Sequence, residues 1–424
     1  MKINIYLLLT VVNSACVPIS TSNSTIASRS LEIEYTDKEY SQNIGNVRIS
    51  QANTGLTFYE NIFNLSQELA YELTFDLLEK DFKYLHMKIF NCTWDWKKSQ
   101  LNNLEYLSDY NEFPINNYEF SQSRISEYVS YSTKLPSVRK SGNYILAVYA
   151  DGTPEIPLFT RKFMVHENSV FIDANVSVSN GSQYRTHQQI NLSISYGTLQ
   201  TSNPNQDFKT VIIQNKDWRN AIKGLPPTNI LPNEKRILFN YFNQEINFPG
   251  LHNFRFFDAR SLSFRGQNIF NIQQSQRGIE LIIEEEKPLK ELAFGRPLQD
   301  NLHGEYYTRI IDPNSKDLNS EYVWVNFKLI TEKINGTVFI HGGFNNWQLN
   351  DLNQMTYDEV SAAYKGSIKV KQGFYSYQYY IHSDEYPYYW IDGTHFETKN
   401  SYEILVYYRE PGALSERLVG YREL

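Results

Sequence analysis

Short apolar runs rich in aromatic and β-branched residues recur along the chain, separated by Gly, Pro, Asn and Asp. Such residues pack well on a pleated backbone, so each run reads as a strand. The clearest are Tyr144 to Tyr149, Val211 to Gln214, Tyr322 to Leu329, Thr337 to His341 and Glu403 to Tyr408. Long helical periodicity is scarce, and Ile62 to Leu78 is the most ambiguous segment. Charge-rich stretches near His166-Glu167-Asn168 and at Glu284-Glu285-Glu286-Lys287-Pro288 mark boundaries. They separate residues 35–167, 168–290 and 291–424, each of sandwich size. The pattern predicts an all-β chain of three consecutive β-sandwich domains. The Glu284 to Glu286 run reads as a solvated strand end or linker.

Composition strengthens this picture. The chain has 424 residues, enough for two to four domains, and its 32 Tyr and 25 Phe suit pleated, half-buried surfaces. At 41% hydrophobic and 21% charged it is not disordered by composition. A net charge of −7 without a basic run argues against a nucleic-acid partner. Lys2, the apolar run Ile3 to Val12 and Asn13-Ser14-Ala15 predict a signal peptide over residues 1–16, then a flexible segment over 17–34. That apolar run is shorter than the ~20 residues a spanning helix needs. The cysteines are Cys16 and Cys92. Cys16 follows Ala15 and is the candidate lipidation site, although Asn13 stands where such sites carry an aliphatic residue. Cys92 then lacks a partner and reads as a small core residue. An exported chain without disulfides must rely on large cores.

The search for chemistry yields little. No HExxH, paired CxxC, GxSxG elbow or phosphate loop occurs. His86, His166, His252 and His341 sit singly, so neither a metal nor a cofactor is expected. Asp95 lies between Trp94 and Trp96, where desolvation suits a general acid, but a glycosidase needs a second facing carboxylate and none can be nominated. A turn Asp bonded to nearby backbone is the preferred reading. The Asn-x-Ser/Thr triplets at Asn64, Asn175, Asn180, Asn191 and Asn335 read as chance matches in an Asn- and Ser-rich chain. The chain reads as a non-enzyme.

The aromatic-rich stretch Asn91 to Ser121 points instead to recognition of a macromolecule. Trp94, Asp95, Trp96 and Tyr106 are its candidate partner-binding residues, since buried aromatics dominate interface energies. Packing of Trp94 and Trp96 inside the first sandwich is an equal reading. If the segment is a strand, both rings share one face and Asp95 takes the other. In the third domain, Val338 to Trp347 runs from strand into a Gly/Asn turn, followed by Gly373 to Tyr380 and Ile391-Asp392-Gly393. This order resembles the early-set immunoglobulin-like domains of starch- and glycogen-active enzymes. The resemblance implies a glycan-binding surface lipoprotein using Phe344, Asn346 and Trp347. Closure of the sandwich end by Trp347 is the favoured alternative.

A second resemblance covers the chain from about Tyr35 to Tyr421. Asn91-Cys92-Thr93-Trp94-Asp95-Trp96, then Ser99, Leu101, Glu105-Tyr106-Leu107 and Tyr118-Glu119-Phe120-Ser121, follow the order of the conserved N-terminal region of the type IX secretion system plug proteins. Ser141 to Leu146 and Thr160 to Val165 look like the family's strand signatures. Gln214-Asn215 with Trp218 and Asn220-Ala221, Phe254 to Asp258, Lys371 to Tyr379 and His395 to Tyr402 continue the order towards Gly420-Tyr421. Asn91, Trp94 and Asn253 replace the usual His, Ala and Glu, which marks a divergent member. The resemblance implies a periplasmic protein of a Bacteroidota-type envelope, associated with the inner face of the outer membrane. It implies immunoglobulin-like sandwiches that close the periplasmic mouth of the outer-membrane β-barrel translocon, as a monomer within that complex and without a small-molecule cofactor.

Overall fold

Each of these runs is a strand in the computed structural model, which describes residues 33–52, 59–66, 71–153, 156–290, 302–311 and 315–424. The signal peptide, Cys16 and residues 17–32 lie outside the described residues. The ambiguous segment resolves into strands Ile62–Asn64 and Tyr71–Leu77. Leu73, Phe75 and Leu77 are buried at period two, so the strand pattern prevails.

The first sandwich packs two sheets. One runs Lys38–Glu39, Phe159–His166, Gly142–Ala150, Leu85–Cys92 and Phe113–Ile115, with Ile62–Asn64 paired parallel to Phe159–His166. The other runs Ile44–Gln51, Tyr71–Leu77, Val129–Lys134 and Asn117–Phe120. Between them lies a core built on residues such as Phe75, Met87, Leu146 and Phe163.

Pairing crosses the boundaries expected from sequence. The second sandwich opens with Phe171–Val178 and His187–Ser195, yet one of its sheets pairs Phe208–Gln214 with Tyr402–Tyr408, which pairs in turn with Arg417–Glu423. The third sandwich begins at Arg255–Asp258 and extends to Gly373–His382. It is therefore inserted into the second, not placed after it. Long-range antiparallel pairing leaves no local trace, so composition placed the division at residues 290/291. Glu286 departs from its solvated expectation too. Glu284 and Glu285 are exposed, but Glu286 accepts from Arg255 at 3.0 Å and from Tyr377 at 2.9 Å. The buried Arg255 also donates to Asp392 at 2.7 Å, because a guanidinium taken from water needs carboxylates around it.

Among the strands buried on both faces, eight of nine residues of Gly142–Ala150 are buried, as are all of Phe159–His166 and Tyr402–Tyr408. Their outer faces meet. Cys92, Ile145 and Met164 of the first sandwich pack against Val211, Ile213, Leu405, Tyr407 and Leu418 of the second, forming a further core between sandwiches. Residues 33–424 are one compact unit for this reason.

Candidate functional site

The strand ending at Cys92 does not continue through the aromatic segment. Thr93 to Lys98 form a turn closed by Thr93 N–H donating to Lys97 O at 2.8 Å and Trp96 N–H to Thr93 O at 3.0 Å. Trp96 takes φ 64°, which costs a bulky residue on the order of 1–3 kcal/mol. Burying its indole repays more, roughly 5 kcal/mol for ~200 Å². The ring enters the core between sandwiches, meets Trp218 edge-on at 5.3 Å and lies 4.6 Å from the Lys162 ammonium. Trp94 lies against Gly224 of the second sandwich. A Cβ there would stand 3.0 Å from the indole, and φ is +64°, so both space and backbone call for glycine. Thus the two rings neither share a strand face nor fill the first sandwich's own core. They fasten it to its neighbour. Asn143 completes the fastening, donating to Thr93 O at 3.1 Å and accepting from the Tyr407 hydroxyl at 2.8 Å.

Asp95 is a turn residue. Burial alone raises its carboxyl, but hydrogen bonds from Lys97 and Thr93 outweigh this and hold it below the ordinary carboxylate value. A group kept ionised is poorly suited to donate a proton at neutral pH. Burial pushes the Cys92 thiol up, making it unreactive and consistent with a core role. Tyr106 is 2% exposed and donates to Ile89 O at 3.1 Å and Asn103 Oδ1 at 2.6 Å. It belongs to the first sandwich's core and is withdrawn from any partner. Leu104 and Tyr110 on either side are exposed at 74% and 80%. Sequence reasoning passed over them because exposure of an apolar residue has no local signature.

In the third sandwich, Gly343–Asn345 is a single turn of 3₁₀ helix, and Trp347 follows at φ 57°. Trp347 is buried, edge-on to Phe254 at 6.1 Å and to His341 at 5.0 Å. Phe344 packs on Tyr375, and Asn346 donates to Glu39 of the first sandwich at 3.2 Å. A sugar platform needs an open ring face, which Trp347 and Phe344 lack.

The first and third sandwiches meet through polar groups. Asp76 accepts from Lys371 at 2.8 Å and from the Tyr322 hydroxyl at 2.6 Å, all three buried. The Tyr322 hydroxyl passes so close to Gly45 that a Cβ there would lie 2.5 Å from it. Glu321 accepts the backbone N–H groups of Arg124, Ile125 and Ser126 at 2.6, 3.1 and 2.8 Å, a carboxylate held by successive amides.

Where all three sandwiches converge lies a cavity of about 200 Å³. Lys162 comes from the first; Lys216, Trp218, Arg219 and Lys223 from the second; Glu305, Tyr306 and Trp347 from the third. Lys216 pairs with Glu305 and donates to Tyr59 O at 3.3 Å. Beside this pair, burial lifts the Glu403 carboxyl to about 7; Lys216 pulls it down, while Glu423 and Glu305 add to the rise.

Residues 44–167 match the family model described as the type 9 secretion system plug protein 1st domain. The whole fold is similar to the crystal structure of a hypothetical protein from Parabacteroides merdae, with a TM-score of 0.87 and 26% identity, covering 93% of this chain and 100% of that one. No curated protein matches the chain.

Proposed function

The chain belongs, through residues 44–167, to the type IX secretion plug family, and on that premise we propose that it occludes the periplasmic opening of the outer-membrane translocon barrel. It acts there as an exported, non-enzymatic component, one copy per barrel. The family match of the first domain carries this reading. The way the sandwiches are joined supports it physically. A plug has to cover a pore without deforming, and a shared apolar core plus buried ion pairs join three sandwiches into one unit. A releasable contact calls for a few aromatic or aliphatic anchors in a polar surround. With Trp96 and Tyr106 engaged internally, Leu104 and Tyr110, with the part-exposed Trp94 and Asp95, are assigned that role.

Mild detergent extraction of the outer membrane, followed by affinity capture of the tagged protein, should recover a very large β-barrel. Leu104→Asp with Tyr110→Asp should weaken that recovery while leaving the thermal transition in place. Capture without any barrel, even after crosslinking in intact cells, would sink the proposal.

A further inference from the structure

The cavity at the meeting of the three sandwiches has a chemistry that neither the fold nor occlusion of a pore requires. Four cationic side chains line it, Lys162, Lys216, Arg219 and Lys223, against two carboxylates, Asp37 and Glu305. Lys216 is matched by Glu305. Asp37 accepts the backbone N–H of Lys162 at 2.7 Å, and no ion pair with the Lys162 ammonium is formed among the described residues. Lys162 is 9% exposed, and its ammonium sits 5.5 Å from the centre of the Trp218 ring. Lys223 approaches the same ring at 5.6 Å from the mouth. Asp95 and Asp217 act on Lys223 through space, but neither forms a salt bridge with it.

Two ammonium groups thus approach one indole and repel each other, the buried Lys162 being poorly hydrated and only partly offset by Asp37 through space. Such an arrangement costs free energy unless an anion offsets it. Cation–π attraction offsets part of that cost, about 0.5–2 kcal/mol per contact. Trp218 and Tyr306 supply flat ring surface, and Thr36, Asn61, Asn346 and Gln348 add polar groups to the wall. With Lys216 and Glu305 cancelling, the lining carries three cations against one carboxylate. That excess of positive charge suits an anion. The volume of about 200 Å³ is below the ~300–1,000 Å³ typical of drug-sized ligands.

The geometry points to a binding site for a small carboxylate with a flat apolar body. Its carboxylate is held by Lys162 and Lys223, and its body rests against Trp218 and Tyr306. The site is independent of the plug reading, because it needs only the chain itself. The bound acid touches all three sandwiches at once, so occupancy strengthens their union.

Phenylacetate is a suitable probe, titrated into the full-length protein and followed by tryptophan fluorescence and calorimetry. Saturable binding is expected, with a raised Tm in its presence. The neutral phenylacetamide should bind at least about tenfold more weakly, as loss of a charge-assisted contact implies. Lys223→Met, a change at the cavity mouth, should weaken phenylacetate about tenfold without lowering the Tm in the absence of ligand. Lys162→Met should do the same if it folds, and Lys223→Met alone decides the matter if it does not. No saturable binding, equal binding of the amide, insensitivity to Lys223→Met or a preference for inorganic phosphate would each overturn the assignment.

Discussion

The first sandwich meets its two neighbours in opposite ways. Towards the second it presents Cys92, Ile145 and Met164, and the partner strands answer with Val211, Ile213, Leu405 and Leu418. Towards the third it presents Asp76 and the amides of Arg124 to Ser126, answered by Lys371, Tyr322 and Glu321. The apolar contact gains free energy from area removed from water and tolerates small changes of angle. The polar contact gains little net free energy but leaves charges uncompensated when misaligned. One joint therefore supplies adhesion and the other orientation.

Breaking the polar joint from one side should have the largest effect. Asp76→Ala strands the Lys371 ammonium, and a loss of about 3–5 kcal/mol is expected in urea unfolding. Adding Lys371→Met should recover much of it, since the stranded charge is then gone. A double variant as unstable as the single one would mean that the pair contributes adhesion after all. Leu405→Ala tests the other joint. Truncating a fully buried side chain there should cost about 3 kcal/mol through lost burial and a residual cavity, with no companion substitution on the facing strand restoring it.

The pH dependence separates the joints from the Lys216–Glu305 pair, beside which Glu403 is buried. Glu403 has its carboxyl raised from 4.5 to about 7. Its folded pKa lies above its unfolded one, so its protonated form favours the fold. That contribution is complete below about pH 4.5 and is lost as pH rises through about 7. Glu403→Gln should abolish this slope and gain on the order of 2–3 kcal/mol at pH 8, read from urea unfolding across the range. The smallest change is expected for Glu321→Gln. It keeps the shape but weakens the acceptor facing the amides of Arg124 to Ser126, costing about 1–2 kcal/mol. Amide exchange at those three positions should rise more than exchange elsewhere.

The strands were legible because burial on one face writes itself as alternation, and Tyr322–Ile330 shows it plainly. Two-sided burial was legible in a fainter form: Tyr144 to Tyr149 lacks polar residues altogether, as a strand covered on both faces should. What covered the second face was not legible, since the partner strand lies more than 250 residues away. The same holds for Asp76 and Lys371, 295 residues apart in sequence. Trp94 and Trp96 were singled out for their aromatic character; Trp96 packs in the core between sandwiches, and the part-exposed Trp94 lies against Gly224. Nothing in a turn's composition tells an internal partner from an external one. Lys162 and Lys223 sit in unremarkable local contexts, and only the fold brings them to one ring.

Insertion of one sandwich into another also sets the order in which the chain can fold. The second sandwich opens at Phe171 yet lacks two strands until Tyr402–Tyr408 and Arg417–Glu423 exist. During synthesis, its first half waits with an apolar face uncovered while the inserted domain forms. Such long sequence separation slows assembly and prolongs exposure to aggregation or holding chaperones. The final strands thus act as a late closure, committing two sandwiches and the core between them in a single event.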